Sequence, residues 1–190
     1  MEPFQEQLKN RLKRSIASTI VFEGTVYRSS VPSYANESDL LTGEGSKRNG
    51  GRWNPVGIAV VYTSLSPETA MKETLAHYRY YGIPIEDAMP RTFVAIGAKL
   101  RRVLDFRQGT VRRRLQISLD RILEVDWRKE VLASREPITH ALGSAASEVG
   151  IEGIVAPSAV DPHGHNLLVF PVNLQADSDL RVLYPERLKP

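Results

Sequence analysis

A chain of 190 residues with 42% hydrophobic and 25% charged residues has the make-up of one globular domain with its own core, and excludes extensive disorder. Its formal charge of +3 permits an anionic ligand without demanding a nucleic-acid partner, and the absence of cysteine removes disulfides, thiolate metal sites and cysteine nucleophiles together. No apolar run approaches the roughly 18–20 residues of a membrane span, and Glu2 and Glu6 spoil the N-terminus as a signal peptide, so a soluble cytoplasmic protein is expected.

Phe4, Leu8, Leu12 and Ile16 recur every fourth position with basic residues between them, which predicts an amphipathic helix over 3–18 docked on the body of the domain. Glu23-Gly24 reads as a turn into a short strand over 25–29 carrying Tyr27 and Arg28. Residues 30–57 are polar, rich in Gly, Ser and Asn, and without periodicity; an irregular stretch of that length usually serves function. A buried strand follows over 58–63. Ser66-Pro67-Glu68 then starts a helix with a hydroxyl cap, a proline at the first position and an acid at the positive end of the dipole. Gly82 ends it at about Tyr81.

Strands are expected over 91–100 and 103–106 as antiparallel neighbours, a helix over 109–124, and a small-residue helix over 137–149 ended by Gly150. Short strands over 154–156, 166–172 and 180–183 close the chain. Connections too brief for βαβ crossovers predict an α+β domain with mostly antiparallel sheets and flanking helices. No G-x-G-x-x-G or P-loop pattern occurs.

The run from Gly50 to Glu73 concentrates the chemistry. Arg52 follows two glycines, which allow close approach of backbone to a ligand, and its guanidinium is a fork suited to phosphate oxygens. Tyr62, near the end of its strand, offers an aromatic face to a planar base. Glu73 falls outside the apolar stripe of its helix, with His77 one turn later on nearly the same side. Each has a plainer alternative: a surface arginine, a half-wet core tyrosine, a solvated glutamate. Arg28 could add a second cation for a pyrophosphate or pair with a surface acid, and Ser158 could bond a ribose or phosphate or simply close a turn. Asp161, His163 and His165 in D-P-H-G-H suggest a metal, but no third ligand stands nearby and a polar turn is the preferred reading. Arg112, Arg113 and Arg114 read as a solvated helix face, since no aromatic residues interleave them.

In this order the pieces resemble the RES domain family of bacterial toxins. The resemblance rests on Tyr27-Arg28, on Gly51-Arg52-Trp53-Asn54 with Gly57, on Val61-Tyr62-Thr63-Ser64, on Ala70 to Glu73, and on Ser158 followed by Asn166-Leu167-Leu168-Val169-Phe170. It covers residues 21–185 and divides the chain into an N-terminal helical extension over 1–20 and a single RES domain over 21–190. It implies a fold related to ADP-ribosyltransferases and an activity that consumes NAD as substrate, with no prosthetic group and no metal. The family's functional positions fall on Arg28, Arg52, Tyr62, Glu73 and Ser158, with Asn166 joining the residues that bind NAD. The implied partner is an antitoxin with an Xre-like helix-turn-helix region.

Cleaving the nicotinamide–ribose bond builds positive charge on the sugar while nicotinamide leaves as a neutral group. A carboxylate such as Glu73 stabilises that charge more in the transition state than in the ground state. The leading expectation is therefore NAD degradation, by hydrolysis or phosphorolysis. Mono-ADP-ribosylation of a protein acceptor is the alternative, and a non-catalytic binding module using Arg112 to Arg114 is a third reading. Neither a membrane nor direct nucleic-acid binding is expected.

Overall fold

The computed structural model describes residues 4–188; Pro3, where the first predicted helix opens, lies outside them. Six strands form one sheet: β1 Ile20–Ser30, β2 Val61–Ser64, β3 Thr92–Asp105, β4 Gly153–Pro157, β5 His165–Val169 and β6 Asp179–Val182. They run in the order β1-β2-β5-β4-β3-β6, and a further pairing of β1 with β3 closes the first five into a ring. Every pair is antiparallel except β3 with β4, whose connection is long enough to cross over through four helices. The α+β class with mostly antiparallel pairing holds. Only one residue pair, Tyr27 with Ser64, joins β1 to β2, so the ring is splayed there.

Side-chain alternation along the strands separates two cores. Val26, Val61, Ile96, Val155, Leu167 and Val169 fill the inside of the ring. Val60, Ile154, Ala156, Leu168 and Phe170 point the other way, against the helices α1 (Phe4–Ser15) and α8 (Ile138–Glu148). Leu8 and Leu12 of α1 are fully buried there. Each such side chain contributes roughly 1.5–3 kcal/mol, enough to hold a short helix on the body. Tyr62 and Ser64 share the side of Val60, Ser158 continues the row of Ile154 and Ala156, and Asn166 precedes Leu168. Alternation alone therefore delivers four polar groups to one face.

Several elements differ from expectation. Residues 91–100 and 103–106 form not two strands but the continuous β3. Its partner changes from β6 to β4 near Arg101, whose N–H is met by the buried Glu152 Oε2 at 2.8 Å, so the ladder passes the gap without an unpaired donor. The strand around Tyr27 is longer than predicted, because Gly24 stays extended opposite Ala98 instead of turning. The polar stretch over 30–57 contains α2 (Glu37–Leu41) and α3 (Glu44–Asn49). β2 starts only at Val61, because the backbone before it is bound elsewhere: Ser46 Oγ donates to Val60 O and accepts from Val60 N, and Asn54 Nδ2 donates to Ile58 O.

The expected helix over 109–124 breaks into α5 (Gly109–Leu115) and α6 (Leu119–Leu123) at Gln116, which adopts φ 58°. A further helix, α7 (Trp127–Leu132), was not anticipated; it is capped by Asp126, which accepts from Lys129 N. The helix carrying Glu73 is α4 (Pro67–Tyr80), capped by Ser66 as predicted. Among the described residues, no helix is long and apolar enough to cross a membrane.

Candidate active site

Glu73 is the point of convergence. Leu65 N donates to His165 O at 2.8 Å, so β2 turns into α4 beside the start of β5, and Glu73 lies two turns into that helix. Its Oε1 accepts from Ser158 Oγ at 2.7 Å and from Asn166 Nδ2 at 2.5 Å. Asn166 is itself oriented, since its Oδ1 accepts from Ser64 Oγ at 2.7 Å. Ser158 Oγ in turn accepts from the backbone N–H groups of Val160 and Asp161 at 3.2 and 3.0 Å. With those donors present, the hydroxyl hydrogen of Ser158 is left for Glu73. Both bonds fall on Oε1, and among the described residues no donor reaches Oε2. The carboxylate is thus fixed by one oxygen and offers the other.

The arginine loop is fixed as firmly. Gly50 adopts φ 71°, and a Cβ on Gly51 would stand 2.5 Å from the Tyr62 hydroxyl. That hydroxyl accepts from Trp53 N at 2.8 Å and donates to Asn54 Oδ1 at 2.7 Å. Burial pushes the Tyr62 phenol well above its usual range, so its proton stays. His140, from α8, donates through Nε2 to Gly51 O at 2.7 Å. The loop carries Arg52, whose Nη2 donates to Ile122 O and Leu123 O at 2.7 and 2.9 Å, carbonyls at the end of α6. Burial lowers the Arg52 guanidinium, the charge of Glu73 works against that, and the charge of Arg128 adds to it. Arg52 therefore lies within electrostatic range of both.

The structure brings together Glu73, Ser158 and Asn166 in direct contact, with Arg52 and Tyr62 alongside. Ser158 and Asn166, expected to touch ligand, instead touch Glu73. Tyr62 spends its hydroxyl on the arginine loop. Arg28 stands apart: its register partner is Val94, on the ring side of the sheet, and its Nη1 donates to Leu40 O at 2.9 Å. It directly follows the Tyr27–Ser64 pair, so it borders the splayed opening from the opposite face.

The D-P-H-G-H segment is a structural turn. Asp161 Oδ2 accepts from Thr69 Oγ1 at 2.8 Å and Oδ1 from Lys72 Nζ at 2.7 Å, which anchors the turn to α4 and holds the Asp161 carboxyl below its usual range. His163 is exposed, and His165 lies on β5 opposite Pro157. Among the described residues no three His, Cys, Asp or Glu side chains gather as a metal site. Arg112 caps its own neighbourhood by donating to Phe106 O and Arg107 O, while Arg113 and Arg114 are exposed.

Two groups escaped the sequence reading. Ser64 is the outer link of the Glu73 network, and nothing in a strand serine announces that. Arg128, in the first turn of α7, is held among Trp127, Tyr80 and Tyr81, with its guanidinium carbon 4.4, 4.3 and 5.4 Å from the ring centroids. The Trp127–Arg128 pair was a local hint; the tyrosines arrive from the far end of α4.

The RES domain model matches residues 25–188, nearly the whole described chain. The chain belongs to the RES domain family. A curated relative, the Prs ADP-ribosylating toxin of Sphingobium sp. (strain YBL2), is 31% identical over 140 residues, covering 74% of this chain and 78% of that protein. Among solved structures, the M. tuberculosis MbcT–MbcA toxin–antitoxin complex contains a chain that superposes with a TM-score of 0.70 at 24% identity, covering 97% of this chain and 96% of that one. The two chains share this fold.

Proposed function

We propose that this RES protein is a toxin that consumes NAD by cleaving the bond between nicotinamide and ribose. The observation that carries the reading is Glu73, held at Oε1 by two donors with Oε2 left to a ligand, beside the Arg52 cation. In the reaction the C1″–N bond breaks, its electron pair leaves with nicotinamide, and the pyridinium charge disappears. Positive charge develops on the ribose, where Glu73 Oε2 stabilises it and accepts a hydrogen bond from a ribose hydroxyl. An acceptor oxygen then bonds to C1″ and releases its proton to solvent. Because the leaving group departs neutral, a second acid of the kind glycosidases use is not required.

Within this reading Arg52 binds the phosphates through donors other than Nη2, and the ring of Tyr62 walls the nicotinamide end. Ser158 and Asn166 act on substrate through Glu73, as positioning residues. Arg28 reaches the dinucleotide from across the splayed β1–β2 opening. Holding a flexible dinucleotide in one reactive pose supplies much of the acceleration. An antitoxin with an Xre-like region would neutralise the toxin in the cytoplasm by occupying this cleft.

A second reading uses the same cleft with a protein as acceptor, favoured by the name of the Sphingobium relative. Incubating the purified chain with labelled NAD separates the outcomes. Free ADP-ribose means hydrolysis, ADP-ribose 1″-phosphate means phosphorolysis, and label on an added protein means transfer. Absence of nicotinamide release under all three conditions overturns the proposal.

A further inference from the structure

Arg128 has a surrounding that its own fold does not explain. Its guanidinium lies against Trp127 and Tyr80, and its edge donates to Tyr81 Oη and His77 Nδ1, both at 3.3 Å. Because an arginine can only donate, His77 Nδ1 accepts and the imidazole is neutral. Among the described residues no carboxylate lies within ion-pair distance of Arg128, nor of Arg52. Aromatic faces flank this cation where an acid would otherwise stand. Tyr80 and Tyr81 remain 44% and 55% exposed, so the arrangement opens to solvent.

Contacts tie this cation to the arginine loop from two sides. Trp127 packs on His140 with ring centroids 5.7 Å apart, and His140 bonds Gly51 O, next to Arg52. On α4, His77 follows Glu73 by one turn, about 5–6 Å along the helix. Glu73 and Arg52 therefore form one level of the cleft, and His77 and Arg128 the next. The charge of Arg128 disfavours that of Arg52, a repulsion that an anion between the two would relieve.

We propose that Arg52 and Arg128 together form a two-pronged site for a pyrophosphate, with the Trp127–Tyr80–Tyr81 cluster as the fixed mount of the second prong. The assignment rests on the NAD reading for its natural ligand, but the anion site stands on its own geometry. It gives the dinucleotide a direction: the ribose to be cleaved lies at Glu73, and the pyrophosphate runs along α4 toward Tyr81.

Inorganic pyrophosphate is the probe, titrated against the full chain while tryptophan emission is followed. Trp127 lies against the proposed site, whereas Trp53, the other tryptophan, is buried. The parent should show a saturable, salt-sensitive change. Arg128→Ala should weaken pyrophosphate binding roughly tenfold or more, the loss of a charge-assisted pair of bonds. The same variant should raise KM for NAD by a similar factor with kcat within about twofold, the sign of lost uniform binding.

Arg113→Ala, the same charge change on an exposed face of α5, should leave both unchanged. If Arg128→Ala fails to fold, Arg128→Lys carries the test; it keeps a cation over the rings without the fork and should bind several-fold more weakly. A folded Arg128 variant that binds pyrophosphate like the parent overturns the site. Pyrophosphate binding that depends on Arg128, in a protein that releases no nicotinamide, keeps the site and overturns the NAD reading instead.

Discussion

Glu73 and Arg128 stand one turn apart along the same cleft yet are mounted in different ways. The carboxylate is locked by hydrogen bonds from β5 and from the turn after β4, themselves braced by Ser64 and by two backbone N–H groups. The cation is held by ring faces and two long bonds from the ends of helices. In the proposed reaction the carboxylate must not move as charge develops, and although α4 carries it, its donors come from β5 and the turn after β4, which fix its geometry. A group that only captures a flexible anion tolerates some play, and helix ends supply it. The comparison predicts that changes at the carboxylate level act on turnover and changes at the cationic level act on binding.

The sharpest test is Glu73→Gln, which keeps size and shape and removes the charge. NAD cleavage should fall by roughly a hundredfold or more, about 3 kcal/mol of transition-state stabilisation, while thermal stability stays near the parent's. Turnover within a few-fold of the parent in the folded variant would remove Glu73 from the chemistry. The next effect should come from the mount of the arginine loop. A Cβ at Gly143 of α8 would stand 1.7 Å from Trp53 O, so Gly143→Ala must push the helix and loop apart. Overpacking of this kind costs about 1–3 kcal/mol or more, and a lowered Tm with weaker NAD binding should follow. Unchanged melting and unchanged KM would show that the loop does not depend on this contact.

Much of this site could be read from the chain, and the misses share a cause. Arg52, Tyr62 and Glu73 lie within 22 residues on successive elements, so spacing and capping signals sufficed to put them side by side. The roles of Ser158 and Asn166 were harder. A polar side chain near a cleft looks like a ligand contact until the structure shows its donors aimed at Glu73. Short helices such as α2 and α7 carry too few residues to show a period, and their caps, Asn36 and Asp126, resemble turn residues. The continuity of β3 depends on Glu152, 51 residues away, and no local pattern reports such a partner. Arg128 was hidden for the same reason, because Tyr80 and Tyr81 come from a distant helix.

Smaller effects would refine the distinction between levels. Ser158→Ala and Asn166→Ala each remove one of the two bonds to Oε1. Each bond contributes about 1–2 kcal/mol to the placement of a charged group, so kcat should fall roughly tenfold with KM little altered. A rise in KM alone would return these residues to direct substrate contact. Arg52→Lys keeps the charge without the planar fork and should weaken NAD binding less than Arg52→Ala does. Equal affinity in all three proteins would remove Arg52 from the phosphate site.

The mildest test is acid, and it addresses what couples the two levels. His140 is lowered from its ordinary value of 6.5 chiefly by burial, although its bond to Gly51 O and the charge of Glu136 oppose the shift. His77 is lowered by burial and by the charges of Arg128 and Arg91. Both imidazoles are favoured in the neutral form by the folded state, so their contribution is intact above the ordinary value and lost as pH falls below it. Tm should therefore decline on acidification below about 6.5, before the carboxylates are fully protonated. Protonating His77 also removes the acceptor for Arg128, so pyrophosphate affinity should drop over the same interval. Replacing His77 with glutamine, which keeps an acceptor and does not titrate, should flatten the affinity profile while leaving the His140 part of the Tm profile. A variant whose affinity still falls with acid like the parent's would show that the mount of Arg128 does not depend on a neutral His77.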